Sequence, residues 1–190
     1  MFFVVVTILA LLVASPAIRR VLVYPQTEFF TETYILGPEH RAEKYPFNVT
    51  TGSNYNIFLG LGNRLGILGY YQVQLKLRNQ NQSNADSFNQ TSSSQPALYN
   101  IYAFAAENGT WELPVSFSFN YSSNGNESQV DLDSMLFNGM TLDLSGYVVP
   151  FDARHRQRLL NLFFEVWLYD DMSSGFKYHE RFVGLWLNLQ

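Results

Sequence analysis

From Trp111 to Tyr121 the chain alternates without a break. Trp111, Leu113, Val115, Phe117, Phe119 and Tyr121 are separated by Glu112, Pro114, Ser116, Ser118 and Asn120. A period of two puts each set on its own side of an extended chain, so the segment predicts a strand with one buried and one wet face. Pro114 has no N–H to give a neighbour, which predicts a position near a sheet margin. The same pattern recurs where Tyr71, Val73, Leu75 and Leu77 alternate with Gln72, Gln74, Lys76 and Arg78.

Leu162–Tyr169 is apolar on both faces apart from Glu165, as in a central strand covered on both sides. Asp170–Gly175 supplies turn residues, and Phe176–Leu189 is predicted to return beside it as a hairpin. Within that hairpin Glu165 needs a partner, and Arg181 on the neighbouring strand is the expected one. Further strands are predicted at Glu32–Leu36, Tyr55–Gly62, Tyr99–Ala105, Gln129–Phe137 and Met140–Val149. About eight to ten strands at regular spacing specify an all-β sandwich. The only helical stretch expected after the N-terminus is a short turn over His155–Leu162. Asn79–Pro96 is a polar Asn, Gln and Ser tract, predicted to be a long mobile loop whose removal leaves the fold intact.

Several functions are excluded by what the chain contains. It has no cysteine, which rules out disulfides, zinc thiolates and a cysteine nucleophile. Its net charge of −4 disfavours nucleic acid, which needs a basic face. Gly60, Gly62 and Gly66 lack the spacing of a dinucleotide loop and read as a turn. Asp131 with Asp133, and Asp170 with Asp171 and Ser173, are weak calcium candidates without enough further oxygen ligands. His40, His155 and His179 have no metal-ligand spacing, and no serine sits in a nucleophile elbow. No catalytic, cofactor or metal residue is expected. Arg154, His155, Arg156 and Arg158 form the one basic cluster, read first as a solvated loop and second as an interaction loop for anionic headgroups or acidic glycans.

Met1–Ile18 carries no charged side chain and is mostly Phe, Val, Leu, Ile and Ala. As a helix it would span roughly 27 Å, close to the hydrocarbon thickness of a bilayer. A retained anchor and a cleaved signal peptide are both open. The lack of a basic segment before the run, and Pro16 and Ile18 near the small residues, favour the anchor. Arg19 and Arg20 follow the run, and the positive-inside rule would hold them in the cytoplasm. Six acceptor triplets for N-glycosylation point the other way: Asn48, Asn81, Asn89, Asn108, Asn120 and Asn126. They exceed what the Asn, Ser and Thr content yields by chance. The expected layout is therefore residues 1–18 as a transmembrane anchor or signal segment, 19–28 as a linker and 29–190 as an extracytoplasmic sandwich.

Three blocks carry a family resemblance: Phe30–Pro38, Ala42–Gly52, and Phe163–Asn188 with Glu165, Trp167, Tyr169, Tyr178, Arg181, Trp186 and Asn188. Together they resemble a mainly archaeal family of uncharacterised membrane proteins defined as a domain of unknown function. The resemblance implies an Ig-like extracytoplasmic β-sandwich, an archaeal envelope and no catalytic residues. The expected role is a non-catalytic, membrane-anchored glycoprotein, single-pass and facing outside. It would act by binding another envelope protein or itself. A carbohydrate-binding module is the alternative, and a hydrolase is the third and weakest reading. An open strand edge would favour the first, an exposed aromatic platform the second, and a pocket with paired carboxylates the third.

Overall fold

The computed structural model describes residues 29–123 and 128–190. The anchor, the linker and Asn126 lie outside the described residues. Among the described residues the chain forms strands only: β1 (Phe30–Leu36), β2 (Asn48–Val49), β3 (Tyr55–Arg64), β4 (Gly69–Asn79), β5 (Tyr99–Ala105), β6 (Thr110–Ser122), β7 (Gln129–Phe137), β8 (Met140–Pro150), β9 (Leu159–Asp170) and β10 (Gly175–Leu189). They make two five-stranded sheets, ordered β1-β3-β6-β7-β8 and β2-β10-β9-β4-β5. All pairings are antiparallel except the two-residue contact of β2 with β10.

Alternation decides which side chains lie between the sheets. Val115, Phe117 and Phe119 of β6 meet Tyr71, Val73, Leu75 and Leu77 of β4, together with Leu160, Leu162, Phe164 and Val166 of β9. Each fully buried side chain of this size contributes roughly 1.5–3 kcal/mol. β9 is central, flanked by β4 and β10, so its outer face must be covered as well. Phe163 is fully buried there although it lies outside the inter-sheet core.

Three expectations change. β6 is a middle strand, not a marginal one, yet Pro114 is accommodated. β7 pairs with β6 only from Phe117 onward, so at Pro114 the strand has β3 on one side and no ladder partner from β7 on the other. The His155 region is not helical. Asp152 and Gln157 form an isolated bridge that folds the loop back on itself, and β9 begins at Leu159. Residues 79–96 pack over the outer face of β4 and β9: Ala85 and Ser93 are buried, and Asp86 bridges Thr91. Their polarity serves local hydrogen bonds, with Asp86 accepting from the Phe88 and Asn89 amides and from the Asn89 side chain.

The sandwich has two distinct ends. The chain comes in at Phe29, beside the β3–β4, β5–β6 and β9–β10 turns, because Phe30 pairs with Arg64 and Gly69 pairs with Ala105. β9 begins at the other end, about 40 Å away for a twelve-residue strand. That end carries the Asp152–Gln157 loop and the C-terminal Gln190, whose carbonyl accepts from the Tyr121 hydroxyl.

Candidate functional site

Every open sheet has two margins, and each margin presents unpaired backbone groups that natural proteins blunt. β8 carries Asp143, a left-handed Gly146 and a terminal Pro150, and its ladder with β7 shifts between Leu132 and Ser134. β1 is covered by side chains, since Arg181 donates to the Thr31 carbonyl and the Tyr45 hydroxyl donates to that of Ile35. β10 is capped by β2 at its end, and before that it bulges between Tyr178 and Arg181, with Glu180 at a φ of 57°. β5 has none of these devices. It reads Tyr-Asn-Ile-Tyr-Ala-Phe-Ala, with no charge, no proline and no left-handed residue.

The side chains of β5 alternate in a way that suits a partner. Ile101, Ala103 and Ala105 go into the core, while Asn100, Tyr102 and Phe104 face out. Tyr102 is 54% exposed and Phe104 64%. They join a cluster on the outer face of the sheet with Tyr70, Tyr169 and Phe176. Phe104 stacks flat on Tyr70 with ring centres 4.2 Å apart, and Phe176 meets Tyr70 edge-on at 5.0 Å. Gln72 donates to the Tyr102 hydroxyl and Lys177 pairs with Asp170, so the rim of the cluster is polar. Along the edge of β5 a groove of about 350 Å³ is lined by Tyr99, Asn100, Ile101, Tyr102, Leu113, Phe137, Asn138 and Met140. The site is thus an unprotected strand beside an aromatic face, with a groove of mixed polar and apolar lining along its edge.

The residues singled out from the sequence fall elsewhere. Asn48, Asn81, Asn89, Asn108 and Asn120 are all exposed. Arg154, His155 and Arg156 are exposed on the loop at the end away from Phe29, whereas Arg158 is drawn in over the Phe151 ring at 5.2 Å. Asp152 organises that loop. It accepts from the Arg154 and His155 amides, and its bond with the His155 ring holds its carboxyl below the usual range. Among the described residues no three acidic or imidazole side chains converge as a metal site would require.

The pair Glu165–Arg181 is a correction. Glu165 lies across from Phe182, while Arg181 lies across from Val166 on the inner face. The two charged side chains are therefore on opposite faces of the sheet. Glu165 instead takes the Lys76 ammonium at 2.6 Å on one oxygen and the Ser93 amide at 2.7 Å on the other, all buried beneath residues 79–96. Arg181 turns to the Thr31 carbonyl near a second buried network. His179 Nε2 lies 2.8 Å from Thr31 Oγ1, which lies 3.2 Å from the Tyr71 hydroxyl, which in turn donates to Asn63. Burial, with the Arg181 charge, pulls the His179 pKa below its ordinary value.

A family model described as a domain of unknown function, DUF1616, matches residues 25–156, and the chain belongs to that family. No curated protein matches it. Among solved structures it is similar to a CARDB domain from Pyrococcus furiosus in complex with di-metal ions, at 8% identity and a TM-score of 0.39, covering 86% of this chain and 90% of that one. It is similar to a β-glucosidase from Listeria innocua in complex with glucose, at 9% identity and a TM-score of 0.38, covering 85% of this chain. This chain spans only 16% of that enzyme. An ASH/PapD-like domain of human CEP192 is similar at 11% identity and a TM-score of 0.31, covering 89% of this chain and 92% of that one.

Proposed function

We propose that this member of the DUF1616 family is a non-catalytic, Ig-like recognition module, glycosylated and tethered to the outside of an archaeal cell membrane. It takes an extended segment of another envelope protein as an added strand on β5. The observation that carries this reading is the bare β5 edge, the one sheet margin among the described residues without charge, proline, bulge or covering side chain. Strand addition draws affinity from backbone hydrogen bonds and specificity from alternate side-chain contacts. Here the alternate contacts would be the Tyr102–Phe104 face and the groove along the edge. Each backbone bond contributes about 0.5–1.5 kcal/mol net, and a well-packed aromatic about 2 kcal/mol or more. Tethering outside the cell is supported by the apolar run at Met1–Ile18 and by the exposure of five acceptor asparagines.

A second copy is a poorer occupant. Antiparallel pairing of two β5 strands would set the Phe29 ends pointing in opposite directions, and two copies tethered in one membrane could not meet that way. The test is a photo-reactive phenylalanine analogue at Tyr102 in the full chain, irradiated in native membranes. The expected result is a cross-link to a protein, abolished by Phe104→Lys and absent when the analogue replaces Arg156. Cross-links formed equally at both positions would overturn the site. The aromatic cluster supports the carbohydrate reading as well. Retention on immobilised glycans that is lost in Tyr102→Ala would move the assignment there.

A further inference from the structure

The loops at the two ends of the sandwich differ in chemistry. At the end away from Phe29 the Asp152–Gln157 loop is polar, with exposed Arg154, His155 and Arg156. At the Phe29 end four apolar side chains stand in solvent: Phe29 is 64% exposed, Ile67 65%, Leu68 64% and Met172 97%. They come from three segments far apart in sequence. Turn tips in water are ordinarily Gly, Asn, Asp and Ser, so apolar tips converging from separate turns call for an occupant.

These tips are held in place. The Phe29 ring lies on Gly66, where an added Cβ would come within 2.7 Å of it and where φ is +75°. Fully buried Asn63 donates from one amide to the Ile67 carbonyl at 2.7 Å and the Ala105 carbonyl at 2.9 Å, tying the β3–β4 turn to the end of β5. Ile67 and Met172 line one hollow of about 600 Å³ with Leu168 and Tyr169. The nearby cations are already engaged. Lys177 pairs with Asp170, and Arg64 reaches Glu32 at 3.6 Å and the Asn108 carbonyl at 2.6 Å.

We infer that Phe29, Ile67, Leu68 and Met172 seat this end of the domain in the headgroup layer of the membrane to which the chain is tethered. The inference rests on the tethered reading above. Its support is the place where the preceding residues join the domain: the ten residues between the apolar run and Phe29 have a contour of at most about 35 Å and meet the described chain at this tip. The occupant is therefore a lipid surface met by apolar insertion, to roughly the 5–10 Å depth of interfacial segments. Because the cations are paired, attraction to anionic lipid is a minor term, and seating is expected in zwitterionic bilayers and at high salt.

The absence of cysteine makes single-cysteine labelling direct. The full chain would be placed in phosphatidylcholine vesicles with an environment-sensitive dye at Ile67→Cys, Leu68→Cys, Met172→Cys or, as control, Arg156→Cys. Expected are blue-shifted emission and several-fold stronger quenching by a lipid-borne nitroxide than by aqueous iodide at the first three positions, unchanged in 1 M salt (roughly a 3 Å screening length), with the reverse at Arg156. Chains that float with the vesicles but show iodide quenching at all four positions would overturn the seating while leaving the tether intact. Chains that do not float would overturn both. Ile67→Ser with Leu68→Ser, two largely exposed positions, is the companion variant: loss of the Met172 lipid signal is expected, and its persistence would show that those two tips are not inserted.

Discussion

The ion pair Lys76–Glu165 is the strongest single commitment among the described side chains, because both members are essentially out of water and the carboxylate also accepts the Ser93 amide. Glu165→Ala removes the carboxylate from a buried ammonium and is expected to cost about 3–5 kcal/mol, whereas Lys76→Met with Glu165→Leu should cost less, about the 1–3 kcal/mol of leaving the buried Ser93 amide without an acceptor. Chemical denaturation of the three proteins checks both values. His179 makes the opposite sort of commitment, to the neutral form. Its folded pKa lies below the unfolded value near 6.5. Above that value both states are neutral and the full stability is present. As pH falls from there toward the depressed folded pKa, the unfolded chain binds the proton first and stability declines. The slope for one proton is at most about 1.4 kcal/mol per pH unit. Thermal unfolding between pH 7.5 and 5 should show that decline, and His179→Gln should flatten it. The sequence shows that Glu165 needs a partner but not which one. Arg181 is nearer along the chain, while Lys76 reaches Glu165 through strand order and face, neither of which is written in local spacing.

Strands were the legible elements. β5 and β7 begin and end where alternation places them, β9 starts three residues earlier at Leu159, the two-residue β2 has no signal in the alternation, and the others extend by one or two residues at an end. The β9–β10 hairpin forms as the short turn between two aromatic runs requires, with Tyr169 paired to Phe176. What composition hid was the work of residues 79–96. Apolar content is the usual sign that a segment packs, but here a backbone amide and carbonyl, not apolar side chains, close over the buried pair. Deleting residues 83–94 is therefore expected to destabilise the sandwich, contrary to the expectation for a free loop. Loss of the charge-assisted bond to Ser93 alone implies roughly 1.5–3 kcal/mol, readable as a lower denaturation midpoint. The bare edge of β5 was equally hidden. Nothing in Tyr-Asn-Ile-Tyr-Ala-Phe-Ala distinguishes a margin from a middle strand, and it becomes a site only when the sheet order leaves it last.

At the scale of the molecule, polarity runs from the Phe29 end to the Asp152–Gln157 loop. If the apolar tips lie against lipid, the acceptors should not be equal. Asn108 sits at the Phe29 end beside Arg64, while Asn120 lies towards the other end of β6, facing solvent. Both are exposed, so exposure alone would give similar glycan occupancy. We expect clearly higher occupancy at Asn120, and site-resolved mass spectrometry of native material would show it. Equal occupancy would count against close apposition. The placement of Phe29 and Gln190 has a mechanical consequence too. β1 departs from Phe29 and β10 finishes at the opposite end, so tension applied between those two points would load both strands along their lengths. β1 would slide against seven paired residues of β3, and β10 against the longer ladder of β9. All rungs of a ladder loaded in shear resist together, whereas a peeled ladder opens one rung at a time. A pull along the long axis would therefore meet whole ladders at once.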